Sequence, residues 1–200
     1  AMDGTIPMQA SEAIKSLSNA IDQYIISKHT GFYSFTGTAG TTPFATTIGV
    51  AGTARKKLNK QLAPMDDRRV VLDPDAEAAA LELTNILQFD QRGDQGGIIS
   101  GTIGQKLGMQ WYMDQNITTH SVGTGWVTGF VASTVGAAVG DTTINILNAT
   151  ASGSIIVGDL FTSGTGQYVV TAAATASATV AVAISFTPAL ATVVATGAAI

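Results

Sequence analysis

The stretch ARKKLNKQLAPMDDRRVVLDPDAEA, residues 54–78, decides how this chain is read. It gathers Arg55, Lys56, Lys57, Lys60, Arg68 and Arg69, six of the ten basic residues of the sequence. It also carries the clearest punctuation. A run of helical pattern stops at Pro64, because proline cannot continue the backbone ladder. Val70, Val71 and Leu72 then form a short apolar run suited to a buried strand. Asp73-Pro74 opens a new helix, with Asp75 and Glu77 in an acidic first turn that the helix dipole favours.

Towards the N-terminus, the helix ending at Pro64 is expected to begin at Thr42-Pro43, with Thr42 as N-cap and Pro43 at the first position. Phe44, Ile48, Ala51, Leu58 and Leu62 would form its buried stripe. The basic residues Arg55, Lys56, Lys57 and Lys60 fall in its last turns, where positive charge is favoured. Before it, Gly31 to Thr42 is turn-like, with Phe32, Tyr33 and Phe35 as packing anchors. Earlier still, Pro7 to about His29 reads as one long amphipathic helix, capped by Thr5 and stopped at Gly31. Ile14, Leu17, Ile21 and Tyr24 recur at spacings of three and four, with Ile25 beside them. A helix of that length, roughly 33 Å at 1.5 Å per residue, needs a large body or a neighbouring subunit to cover its stripe.

Towards the C-terminus, Ala76, Ala79, Ala80, Leu83, Ile86 and Leu87 continue the third helix. Gln88 to Gly97 is a polar loop, and Met109 to Met113 is a strand. Helices and short strands in this order predict an α+β domain. After Lys106 the chain changes character: no Lys or Arg follows, and the acids are only Asp114, Asp141 and Asp159. Alternation in Thr143–Ile146, Gln167–Val170 and Thr179–Ile184, broken by glycine turns, predicts a small antiparallel barrel or sandwich. The expected division is residues 1–125 and a β-rich unit over 126–200.

Composition excludes several classes of function. The charged fraction is 12% and the net charge −4, which gives no general reason to expect nucleic-acid binding. There is no cysteine, so disulfide frameworks and thiolate metal sites are out. No apolar run is long enough for a membrane helix, and no signal peptide is visible. Gly123-Thr-Gly125-Trp-Val-Thr-Gly129 is one residue too long for the dinucleotide fingerprint, and no phosphate-binding loop or nucleophile elbow occurs. His29 and His120 are the only imidazoles, and no triad is read from them. Asp66, Asp67, Asp73, Asp75 and Glu77 lack calcium-loop spacing and are read as turn and capping residues. Arg92-Gly93-Asp94 is a chance tripeptide in a loop. Enzymatic activity, cofactor and metal are therefore not expected.

The same organising stretch resembles the major capsid proteins of tailed bacteriophages, in the branch whose coat protein carries an inserted β-domain. The residues that carry the resemblance are Ala54 to Pro64, Arg69-Val-Val-Leu-Asp-Pro-Asp-Ala76, and Gly97 to His120 with Ile103-Gly104-Gln-Lys-Leu-Gly108 and Met113-Asp-Gln-Asn-Ile117. They span about half the chain. The resemblance implies a phage-capsid-type fold: the first helix as the spine helix, Gly31 to His120 as part of the axial domain, and Gly158-Asp-Leu-Phe-Thr162 with Gln167-Tyr168-Val169-Val170 inside a β-barrel insertion. It implies a structural subunit of a phage head, in the virion and assembled in the bacterial cytoplasm. Its partners would be other copies of itself, together with scaffolding and portal proteins. The genome would be enclosed without sequence-specific binding. The family's N-terminal arm, extended hairpin loop and closing segments have no counterpart here, so the resemblance implies a trimmed chain. The candidate intersubunit residues are Arg55, Lys56, Lys60, Asp66, Asp67, Arg68, Arg69 and Asp73. The alternative expectation is a phage tail or surface adhesin whose β-domain binds carbohydrate on exposed aromatics.

Overall fold

The computed structural model describes residues 8–88, 100–126, 130–132, 136–148, 152–177 and 180–200. The chain divides into two compact units, one of Ala1–Ile26 with Thr36–Thr118 and the other of Ser27–Phe35 with Thr119–Ile200. The fold is α+β, as expected, with antiparallel sheets that include a half-barrel.

In the first unit, α1 runs Met8–Ser27. The expected cap at Thr5 and the start at Pro7 lie outside the described residues. Its polar face is the one that is fastened. The Asn116 side-chain amide donates to Asn19 Oδ1 at 2.8 Å and Asp22 Oδ2 at 2.7 Å, and accepts from Gln23 Nε2 at 3.3 Å. Those three helix residues are one turn apart, so a single asparagine can hold all of them.

The second helix differs from the expectation. α2 is Gly49–Lys60, and Thr42-Pro43 lies in turns before it. Phe44 is the reason: it adopts φ 65, a left-handed conformation that no helix start allows, and its ring is buried 5.3 Å from Trp111, edge to face. The far end of α2 closes in a Schellman motif. The Leu62 amide donates to Asn59 O at 3.2 Å and the Ala63 amide to Leu58 O at 3.0 Å. Leu62, with φ 57, occupies the position usually given to glycine, and it is 90% exposed instead of lying in the buried stripe.

β1, Arg69–Leu72, is a strand as predicted, but not a buried one, since Leu72 is buried and Val71 is exposed, and it pairs in parallel with β3, Met109–Met113. β2, Gln105–Lys106, folds back on β3 through Leu107 and Gly108, both with positive φ, giving the order β1-β3-β2. α3 is Pro74–Glu82 with Asp73 at the N-cap position. Leu83 breaks the expected continuous helix with ψ 131, and α4 resumes at Thr84–Leu87. Ala76, Ala80, Leu83 and Ile86 are buried with Phe44, Leu72, Ile103, Met109 and Trp111, whereas Leu87 is exposed. Most of the expected loop Gln88 to Gly97, including Arg92-Gly93-Asp94, lies outside the described residues.

The second unit holds β4 Phe130–Ala132, β5 Thr143–Asn148, β6 Gly153–Ile155, β7 Leu160–Ser163, β8 Gly166–Val170, β9 Ala174–Ala176 and β10 Val182–Thr187. The larger sheet runs β4-β5-β10-β8-β7, all antiparallel, and β6 pairs with β9. Alternation places Ile144, Ile146, Ile184 and Phe186 inward, and Phe161 packs between Tyr168 and Phe186 at 5.4 Å from each. Ser27–Phe35 belongs to this unit. The Gln167 amide pairs with the Phe35 backbone, donating to its carbonyl and accepting from its N–H. Phe32, expected as an anchor, is exposed.

Candidate functional site

The basic segment separates into residues with structural duties and residues left free on the surface. Arg68 is spent within the chain: its guanidinium donates to Pro64 O at 2.7 Å, Asn59 Oδ1 at 2.7 Å and Ala63 O at 2.8 Å. It thereby fastens the loop that follows α2 back onto that helix. Arg69 forms an exposed ion pair with Asp67 at 3.0 Å, a kind of contact worth about 0–1 kcal/mol. The Arg55 guanidinium lies 3.5 Å from the point where a Cβ on Gly108 would stand, so it is packed on the β2–β3 turn. Burial pushes the Lys57 ammonium below the ordinary lysine value. Lys56, Lys60 and Asp66 are exposed. Asp73 is half-buried at its N-cap position, but its side chain makes no cap hydrogen bond there. The capping expected of that carboxylate is absent, and the helix start rests on Pro74 and the acidic first turn instead.

The larger exposed features are apolar. Ile14, Leu17, Ile21, Tyr24 and Ile25 are between 52% and 65% exposed, so the stripe predicted on the first helix is uncovered in the folded chain. After the end of α2, Leu62 and Met65 are both exposed, on the loop that Arg68 holds. At the start of α2, residues 36–50 enclose a depression of about 370 Å³, lined by Thr36, Thr38, Thr42, Pro43, Phe44 and Val50 among others. No residue lining it is titratable.

The second unit contains a buried carboxylate that sequence reading did not single out. Asp159 has no solvent exposure and receives four donors: His120 Nε2 at 2.9 Å, the Gly123 N–H at 3.2 Å, Trp126 Nε1 at 2.6 Å and the Ile156 N–H at 2.9 Å. It fixes residues 120–126 against the β6–β7 connection. Gly123 and Gly125 are needed here because the chain passes directly over β6: a Cβ on Gly123 would overlap the Ser154 carbonyl, and Gly125 donates to that carbonyl at 2.7 Å. The glycine spacing that failed as a nucleotide fingerprint is a backbone crossing. The one sequence signal for it was that Asp159 is one of only three charged residues after Lys106, with Asp114 and Asp141.

Among the described residues no group of His, Cys, Asp or Glu is arranged to hold a metal ion, and no helix is long and apolar enough to cross a membrane. Phe161, Tyr168 and Phe186 are buried, and Trp126 is half-buried with its N–H on Asp159. Those four residues do not form an exposed aromatic platform.

No protein-family model and no curated protein matches the chain. Its fold is similar to a solved structure from Mycobacterium phage Che8, with a TM-score of 0.50 and 13% identity over 92% of this chain. The match spans 58% of that protein's length.

Proposed function

We propose that this chain is a structural subunit of a bacteriophage head, one that assembles with copies of itself into the icosahedral shell enclosing the genome. The observation that carries the reading is the fold likeness to a phage protein over nearly the whole chain, which accords with the capsid-type sequence texture of residues 54–120. In this reading α1 is the spine helix, the rest of the first unit belongs to the axial domain, and the second unit is the inserted β-domain.

The surface supports the same reading. α1 is attached by its polar face and presents its apolar one. Burying a Leu or Ile side chain fully is worth about 1.5–3 kcal/mol, so five half-exposed residues leave several kcal/mol available to a neighbour. Contacts of that size are weak singly and strong when repeated around a closed shell. Copies of itself are the main partners proposed, with scaffolding and portal proteins as further ones. The genome is enclosed without sequence-specific contacts, and no catalytic step is assigned.

The test is electron microscopy of the natural gene product expressed with its neighbouring genes. Closed shells or capsomers are the expected result. A monodisperse monomer in the presence of every partner gene would overturn the reading and bring forward a glycan-binding screen for the adhesin alternative.

A further inference from the structure

The low average charge of this chain hides an uneven distribution. α2 carries Arg55, Lys56, Lys57 and Lys60 and no acid, a charge of +4 within a chain whose net charge is −4. Arg68 adds a fifth cation beside the helix. Its donors go to Asn59 Oδ1 and to the carbonyls of Ala63 and Pro64, all neutral, and none of them cancels its charge. The next acids in sequence, Asp66 and Asp67, lie beyond the helix, and Asp67 is paired with Arg69. A helix dipole calls for only about half a unit of positive charge at this end. Completing the dipole therefore does not account for five cations.

The outward face of α2 has one chemistry throughout. Its exposed residues are Gly49, Gly52, Thr53, Lys56, Asn59 and Lys60, which recur at spacings of three and four and so share a face. A Cβ on Gly52 would meet nothing within 4 Å, so the first half of the face is low and open. The second half bears ammonium groups, with Lys56 and Lys60 about 6 Å apart along the axis at 1.5 Å per residue. Arg55 and Lys57 flank them, half-buried. The face holds no carboxylate and no large apolar side chain. An acidic protein segment would want an apolar anchor beside the charge, and none is offered. Duplex DNA needs no anchor, because it presents one negative charge per about 1.7 Å of its axis.

We infer that the outer face of α2 is a resting surface for the phosphate backbone of duplex DNA, engaged through Lys56 and Lys60 without reading sequence. The inference rests on the coat-subunit reading and names the surface that meets the enclosed genome. Phosphate contacts carry no sequence information, so any enclosed duplex would serve. Two lysine contacts hold weakly in one copy, and repetition over a shell multiplies them. Such contacts also let the DNA slide across the surface.

The test titrates the full-length chain against a short fluorescein-labelled duplex at salt concentrations from about 50 to 200 mM. Binding should be measurable at the lowest salt and weaken steeply as salt rises. Lys56→Gln with Lys60→Gln should flatten the plot of log affinity against log salt by about 1.8, since each phosphate contact contributes about 0.9. The parent then loses roughly tenfold more affinity over that range than the variant does. Both lysines are exposed, so the pair of changes leaves the fold intact. Lys15→Gln removes one charge from α1, where Lys15 is paired with Glu12, and should leave the slope unchanged. A duplex of unrelated sequence should bind within about twofold. No binding at the lowest salt, a slope unmoved by the lysine pair, or flattening by Lys15→Gln would overturn the inference. Tighter binding of polyglutamate than of the duplex would overturn it too and give the face to an acidic protein. Shells or capsomers in the microscope from a chain that ignores duplex DNA would sink this surface and leave the coat-subunit reading standing. A monodisperse monomer that still binds duplex through Lys56 and Lys60 would remove the coat-subunit reading, and the enclosed genome with it as the ligand.

Discussion

At Asp159 four donors converge on one carboxylate that solvent does not reach. Truncating it to alanine leaves those donors without their acceptor, and a buried donor left unsatisfied costs roughly 1–3 kcal/mol. Asp159→Ala should therefore lower the urea midpoint of the second unit, read from Trp126 emission in a Trp111→Phe background. An unchanged midpoint would mean that residues 120–126 are held by the glycine crossing alone. Leu62 predicts a shift in the opposite direction. Replacing it with glycine removes the left-handed penalty at φ 57 and forfeits little packing, since the side chain is in solvent. Leu62→Gly should raise stability by about 0.5–1 kcal/mol. A loss of stability in urea would show that Leu62 packs against its own chain.

Among the elements, α1 gives the sharpest separation between folding and function. Its own chain holds Asn19, Asp22 and Gln23 through Asn116, so the apolar stripe is not needed for that attachment. Ile14→Ser, Leu17→Ser and Ile21→Ser together should leave the thermal midpoint within a few degrees of the parent and abolish shells or capsomers. Unfolding of the triple variant would show that the stripe is covered within the chain. The stripe was legible because a 3.6-residue period survives whatever eventually covers it. α3 was legible because Asp73-Pro74 is a local signal, and β5 and β10 because alternation is local too; β8 is a strand without the expected alternation, since Tyr168, Val169 and Val170 are all buried. The start of α2 was not. Thr42-Pro43 has the chemistry of a helix start, but the Phe44 ring is drawn into the core against Trp111 and turns the backbone left-handed. A contact 67 residues away in sequence overrode the local preference. The same holds for Asp159, whose partners lie up to 39 residues away, and for Ser27–Phe35, which joins the β-rich unit through Gln167, 132 residues from Phe35. Composition records none of these meetings.

For the molecule as a whole, the question is whether charge or apolar surface brings copies together. The sequence singled out Arg55, Lys56, Lys60, Asp66, Asp67, Arg68, Arg69 and Asp73 as the contact set. The structure gives Arg68 three partners within its own chain, one on α2 and two in the loop after it, and Arg69 a neighbouring carboxylate. Reversing Arg68 would therefore disturb the end of α2 whether or not a neighbour touches it, and Arg69→Glu is the cleaner probe of an ionic interface. With 12% charged residues, and no Lys or Arg after Lys106, crowded copies meet little repulsion and have few ion pairs to exchange. The screening length falls from about 10 Å at 0.1 M salt to about 3 Å at 1 M. An interface built on the basic segment should lose about tenfold in affinity over that range, whereas one built on the α1 stripe should hold or tighten. Light scattering of the assembling protein across a sodium chloride series distinguishes them. The expected result is a change of less than about twofold, with Arg69→Glu indistinguishable from the parent. Steep loss with salt, together with impaired assembly of Arg69→Glu, would return the contact to the charged segment and leave the apolar stripe of α1 without a role between subunits.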